Sequence, residues 1–94
     1  MNSLTYKERL RQKLEAALAP VNMEIIDDSA RHVGHAGHDP RGETHFKLNI
    51  VSAAFTGLST IARHRLVYGA ISEEINERVH AVNIIAKTPE ETQL

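Results

Sequence analysis

Ninety-four residues, 41% hydrophobic and 24% charged, fit one compact domain spanning 1–94 and leave no room for a second. At this size folding buries about 60–65% of the unfolded surface, enough for one modest core but not for the deep two-lobed cleft of many large enzymes, so a non-enzymatic protein is expected. Eleven basic against twelve acidic residues give a net charge of −1, without the positive excess of a protein held to nucleic acid mainly through phosphates. With no cysteine, the chain has no disulfide, no thiolate nucleophile and no sulfur ligand of its own for zinc or iron.

Thr5-Tyr6-Lys7-Glu8 has the form of a capping box and predicts a helix start. Tyr6, Leu10, Leu14, Ala17 and Leu18 recur at spacings of three and four, a single apolar stripe that Pro20 ends near Ala19. Residues 23–27 are short and partly β-branched, and read as a first strand. Residues 29–42 hold three glycines and a proline, which predicts a long loop, and loops of that length tend to be functional or disordered.

Clean alternation follows over residues 44–52, with Phe46, Leu48 and Ile50 on one side and His45, Lys47 and Asn49 on the other. A turn at Phe55-Thr56-Gly57 leads to Ser59, which can cap a helical segment with Ile61, Leu66, Val67, Ala70, Ile71 and Ile75 as its core stripe. Gly69 leaves two arrangements open, one long helix or a short helix feeding another. Residues 79–87 form a last strand before Thr88-Pro89, and residues 90–94 are expected to fray. The order predicts an α+β fold of two layers, with helices on one face of a three-stranded sheet and the last strand parallel to the second, because a helical crossover permits that pairing.

Six histidines are the compositional anomaly, and His32, His35 and His38 fall three apart on the glycine-rich loop. Imidazole is the commonest metal ligand, so the loop reads either as a ligand source or as a solvated histidine-rich turn. His80, between Val79 and Ala81, reads as a structural hydrogen-bonding residue, and His45 as an ordinary exposed one. Arg63, His64 and Arg65 form the one local basic cluster, a solvated helical face or an anion contact, with Lys47 and Lys87 as further cations. No serine lies in a nucleophile elbow, and a P-loop is excluded because no Gly-Lys-Ser/Thr follows the glycines. No apolar run approaches the ~18 residues that span a bilayer, and residues 1–8 show no targeting pattern, so a cytoplasmic protein without a membrane partner is expected.

Several short motifs in order, Gly42-Glu43-Thr44-His45-Phe46, Val51-Ser52-Ala53-Ala54-Phe55-Thr56-Gly57, Arg63-His64-Arg65-Leu66-Val67-Tyr68, Glu73-Glu74-Ile75, Val79-His80-Ala81 and Thr88-Pro89-Glu90, resemble the BolA family across essentially the whole chain. The resemblance implies a helix-strand-strand-helix-helix-strand domain, similar to the type II KH arrangement with a helix-turn-helix-like element. It further implies a non-enzymatic partner of a monothiol glutaredoxin, sharing a [2Fe-2S] cluster with that protein and glutathione, and carrying no cofactor in the apo state. Trafficking or assembly of iron-sulfur clusters, or iron sensing, would be its role. On this resemblance the C-terminal histidine ligand falls on His80, and the second ligand comes from the loop, with His35 favoured, then His32, and His38 also available. The alternative the family offers is a DNA-binding transcriptional regulator linked to cell shape and stress, acting through Arg63, His64 and Arg65. The apo oligomeric state is open between monomer and homodimer.

Overall fold

The computed structural model describes residues 4–29 and 42–92. The first helix, α1 (Tyr6–Leu18), starts on the reciprocal cap that the sequence predicts: Glu8 N–H donates to Thr5 Oγ1 at 3.1 Å and Thr5 N–H to Glu8 Oε1 at 3.0 Å. It stops at Ala19, held at φ 44° with its amide on Glu15 O, and Pro20 forbids a further turn. Leu10, Leu14 and Leu18 are buried, whereas Ala17 is exposed, one position off the stripe they define.

Strands β1 (Asn22–Asp27), β2 (His45–Val51) and β3 (Ala81–Lys87) make a mixed sheet in the order β1-β2-β3. β1 runs antiparallel to β2, with Ile25 opposite Leu48, and β3 runs parallel to it, with Ile84 opposite Leu48. Phe46, Leu48 and Ile50 of the central strand are buried against the helices, while His45, Lys47 and Asn49 lie on the face the helices leave uncovered. Ser52 ends β2 by donating its hydroxyl to Leu18 O at 2.6 Å and accepting Ala54 N–H at 3.0 Å. That bond sets up a 3-10 turn, Ala53–Phe55, and drives Phe55 fully into the core.

The helical segment is broken in two. α2 (Thr60–Ala70) starts on the Ser59 cap, and α3 (Ser72–Glu77) follows immediately. Gly69 stays helical, and the break falls at Ile71, whose amide is shared between the carbonyls of Val67 and Tyr68 at 3.3 Å each. Val67 and Ile71 are buried, but Ile61 and Leu66, expected in the core stripe, are 64% and 40% exposed. With 3.6 residues per turn they point about 100–120° away from Val67 on opposite sides, and Phe55 occupies the core volume beneath the helix instead. The C-terminal end also differs from expectation: Glu90–Thr92 is not frayed but forms a 3-10 turn, closed by Glu91 N–H on Thr88 O.

Where α1 crosses α3, the Glu74 side chain is wholly buried. Its Oε2 accepts from Arg9 Nε at 3.1 Å and pairs with Lys13 Nζ at 2.7 Å, and its Oε1 has no hydrogen-bond partner among the described residues. Replacing one member of a fully buried pair costs about 3–5 kcal/mol. Arg9 and Lys13 remain 24% and 33% exposed and keep Glu77 and Glu73 as partners, so the Glu74→Ala change is expected to cost less, about 2–3 kcal/mol. A urea unfolding midpoint that falls at unchanged slope checks this; an unmoved midpoint would show that the crossing holds without its carboxylate.

Candidate functional site

His80 is exposed in the turn that links α3 to β3. The turn is tightly held from behind: Glu74 O accepts the amides of Arg78 at 3.0 Å and Val79 at 2.9 Å, Val79 is buried, and Thr44 O accepts those of His80 at 2.7 Å and Ala81 at 3.2 Å. Thr44 immediately precedes β2, so the same residue that receives His80 also orients His45, whose Nδ1 lies 2.8 Å from Thr44 Oγ1. In the parallel register His45 stands opposite Ala81, and the rings of His45 and His80 come together with centroids 6.2 Å apart. An open cleft of about 210 Å³ adjoins, lined by Asp28, His45, Phe46, Ala81, Val82 and Asn83.

One carboxylate ties both ends of segment 30–41. Asp27 Oδ1 accepts from Ser29 N–H at 3.0 Å and Ser29 Oγ–H at 2.6 Å, while Oδ2 accepts from Glu43 N–H at 3.0 Å. Ser29 Oγ in turn accepts the amides of Thr44 at 2.9 Å and His45 at 3.2 Å. Gly42 turns the chain at φ 77°, with Asp27 Oδ2 3.3 Å from where a Cβ would sit, so a side chain here would be both strained and crowded. Glu43, also left-handed at φ 63°, spends Oε1 on Tyr6 N–H at 2.6 Å and so caps α1, and Arg78 Nη2 donates to Gly42 O at 2.7 Å.

The expected ligands thus divide. His80 is placed at this corner, but His32, His35 and His38 lie outside the described residues. His45, read from the sequence as an ordinary exposed residue, is half-buried beside His80. Only the β2–β3 register brings the two together, and the sole sequence signal was the alternation that turned Phe46 inward and His45 outward. Among the described residues no group of three or more histidine or carboxylate side chains could hold a metal ion, and no helix is long and apolar enough to cross a membrane.

The basic cluster also divides. Arg63 donates Nε–H to Leu58 O at 3.0 Å and Nη1–H to Ala86 O at 3.0 Å, and its two Nη groups grip Glu91 at 2.6 and 3.0 Å. It staples α2 to β3 and to the C-terminal turn, and this guanidinium holds the Glu91 carboxyl down at about 2, helped by the Thr88 amide. Four of its five donor bonds are therefore spent inside the fold. His64 is half-buried and Arg65 exposed on α2, with Lys47 and Lys87 on the uncovered sheet face.

A family model described as BolA-like protein matches residues 14–91. The chain belongs to the BolA family. It is 49% identical over 89 residues to SufE-like protein 1, chloroplastic/mitochondrial, of Arabidopsis thaliana, covering 88% of this chain and 24% of that protein. The solved BolA domain of that relative superposes with a TM-score of 0.85 at 47% identity, covering 98% of this chain and 99% of the other. Identity is 46% over 86 residues to Protein BOLA1, chloroplastic, of the same plant, covering 89% and 54%. It is 41% over 85 residues to the DNA-binding transcriptional regulator BolA of Escherichia coli, covering 90% and 77%. This BolA domain thus spans about a quarter of the first relative and about half of the second.

Partial burial pushes the Asp27 carboxyl up, but the Ser29 hydroxyl and the Ser29 and Glu43 amides outweigh it and hold its pKa below the ordinary value. A depressed carboxylate contributes stability that is full above the unfolded pKa, near 3.9, and is lost as pH falls through the folded one. Amide exchange at Ser29 and Glu43 is therefore expected to accelerate below about pH 4, ahead of global unfolding, and to be fast already at neutral pH in Asp27→Ala. Equal protection of both amides in wild type and variant would show that the carboxylate does not hold this corner.

Proposed function

We propose that this BolA domain is a non-enzymatic cytoplasmic protein that shares a [2Fe-2S] cluster with a monothiol glutaredoxin, for iron-sulfur trafficking or assembly or for iron sensing. The observation that carries the reading is the corner at Thr44: His80 is exposed there, and the segment bearing His32, His35 and His38 leaves from and returns to residues hydrogen-bonded to that same corner. The donors on offer are imidazole nitrogens and carboxylate oxygens, since the sequence has no cysteine. Such a donor set fits half of a cluster, with the glutaredoxin cysteine and glutathione as the sulfur source, and mixed imidazole and thiolate ligation is the pattern of Rieske centres.

When bound, the cluster supplies iron and sulfide for transfer and one-electron chemistry. The chain's own part is to present imidazole. His80 serves as the fixed ligand, because its backbone is pinned on Thr44 while its ring reaches solvent. One histidine of the loop, His35 first, then His32 or His38, serves as the second. Imidazole binds metal through an unprotonated nitrogen, so assembly of the complex competes with protons.

The runner-up reading, DNA binding, is supported by the name of the E. coli relative and by the exposed Arg65 on α2. With Arg63 committed to Glu91, its electrostatic footprint on the helix is a single cation beside His64, and the binding it could support would be modest and strongly salt-sensitive.

Mixing the protein with a monothiol glutaredoxin, iron, sulfide and glutathione, then recording visible spectra and sizing, tests the reading. Wild type is expected to give a coloured heterodimer and His80→Ala to lose or strongly alter the colour while remaining folded; a wild-type spectrum and cluster lifetime in the variant would remove His80 from the ligand set. Arg65→Glu is expected to lower DNA affinity several-fold and to leave cluster loading intact at saturating glutaredoxin. Nanomolar sequence-selective DNA binding at physiological salt, with no cluster formed beside any monothiol glutaredoxin, would make the regulator reading primary.

A further inference from the structure

The Arg63 guanidinium is fixed by carbonyls from two different parts of the fold. Its Nε–H donates to Leu58 O, ahead of α2, and its Nη1–H to Ala86 O on β3, each at 3.0 Å, and the side chain is 13% exposed. The fork of the same group converges with a main-chain amide on one carboxylate. Nη1 and the Thr88 N–H reach Glu91 Oε1 at 2.6 and 2.8 Å, and Nη2 reaches Oε2 at 3.0 Å. Three N–H donors backed by secondary structure make an oxyanion cradle, since a guanidinium fork takes carboxylate and phosphate in the same bidentate way.

The occupant is held less firmly than the cradle. Glu91 rides on the 3-10 turn Glu90–Thr92, none of whose residues is buried, and its side chain is 45% exposed. The other hydrogen bonds of that turn are local: Glu91 N–H donates to Thr88 O and Oγ1, and Thr92 N–H and Oγ–H donate to Pro89 O. Among the described residues, the Glu91 carboxylate is the only hydrogen-bonded link from this turn to α2. Opening the turn therefore removes the carboxylate and leaves the bonds that fix Arg63 to Leu58 and Ala86 in place. Arg63 and the Thr88 amide hold the Glu91 carboxyl at about 2, so mild acidification does not empty the cradle; a competing anion or an opened turn does.

We propose that Arg63 and the Thr88 amide form a binding site for a terminal phosphate group, and that Glu91 is its built-in occupant, closing the site until the C-terminal turn opens. A terminal phosphate offers three oxygens to the three donors and carries nearly two charges at neutral pH, against the two oxygens and one charge of the carboxylate it replaces. The carboxylate has the advantage of its tether, which gives it a high effective concentration while the turn is closed. The site lies at the opposite end of β3 from His80, and it depends on neither reading above.

The test titrates the full chain with inorganic phosphate and with phenyl phosphate at constant ionic strength, following the Thr88 amide and the Arg63 Nε–H by NMR. Wild type is expected to bind both weakly. Glu91→Gln, which keeps the size of the side chain and removes its charge, is expected to gain affinity about tenfold or more, and whichever probe gains more identifies the free ion or the ester as the source. Glu91→Asp keeps the charge on a side chain one methylene shorter and is expected to fall between; it carries the test if Glu91→Gln lacks a native amide spectrum. Adding Arg63→Lys to Glu91→Gln preserves net charge but removes the fork, and the gain is expected to disappear. Equal affinity in wild type and both Glu91 variants would overturn the proposal. So would a gain that survives Arg63→Lys, or one whose shifts fall away from residues 63 and 86–91, because either would be a general effect of charge.

Discussion

A carboxylate without access to water sits where α1 crosses α3, and both ends of its residue are in use. The side chain of Glu74 draws in Arg9 and Lys13 from the first helix, while its backbone carbonyl takes two successive amides and turns the chain toward β3. A buried ion pair by itself is weak evidence of stability, because desolvation consumes most of the Coulombic gain. Its effect here is positional. Fixing the rotation of α3 against α1 fixes where the Glu74 carbonyl points, and two residues beyond the turn it makes, Ala81 enters the sheet beside His45. The Glu74 contact between helices therefore determines where a histidine emerges at the far edge of the domain.

Asp27 does comparable work at the other side of that corner. Its two oxygens hold Ser29 and Glu43, which lie on either side of residues 30–41. The corner is thus a frame built by one carboxylate. Ser29 and Thr44 join the frame to the sheet, because the serine hydroxyl accepts the first amides of β2 and the threonine carbonyl accepts the first amides of β3.

What could be read from the sequence was what depends on neighbours in the chain. The Thr5 and Glu8 cap, the alternation of β2 and the stop at Pro20 are decided within a few residues, and they fell where expected. The parallel return of β3 followed from connectivity, since a helical crossover leaves little choice. Readings failed where the deciding partner is distant. Arg63 looked like part of a basic face because Glu91, 28 residues away, lay in a stretch expected to fray. Nothing local marks Glu74 as buried, because its partner Arg9 lies 65 residues away. Ile61 and Leu66 were expected in the core on their apolar character, although on a helix they lie about 100–120° from Val67, and they are exposed. The family resemblance located His80, but His45 needed the register between two strands that meet only after the helices have packed.

The absence of cysteine acquires its meaning from this geometry. A site of soft thiolates would bind thiophilic metals tightly by itself and exchange them slowly, whereas imidazole is a weaker and more selective claim on the same ions. The described corner offers a pinned His80 with an exposed ring, a braced His45 beside it and an open cleft rather than an enclosed cavity. Among the described residues nothing there closes a coordination sphere. On the proposed cluster-sharing reading, a domain built this way would have little affinity to spare for holding a metal centre alone, and another molecule's ligands would set the lifetime of what the two share. The buried charge at Glu74 and the staple at Asp27 make that presentation reproducible, because each fixes the backbone on one side of the corner where the His80 ring emerges.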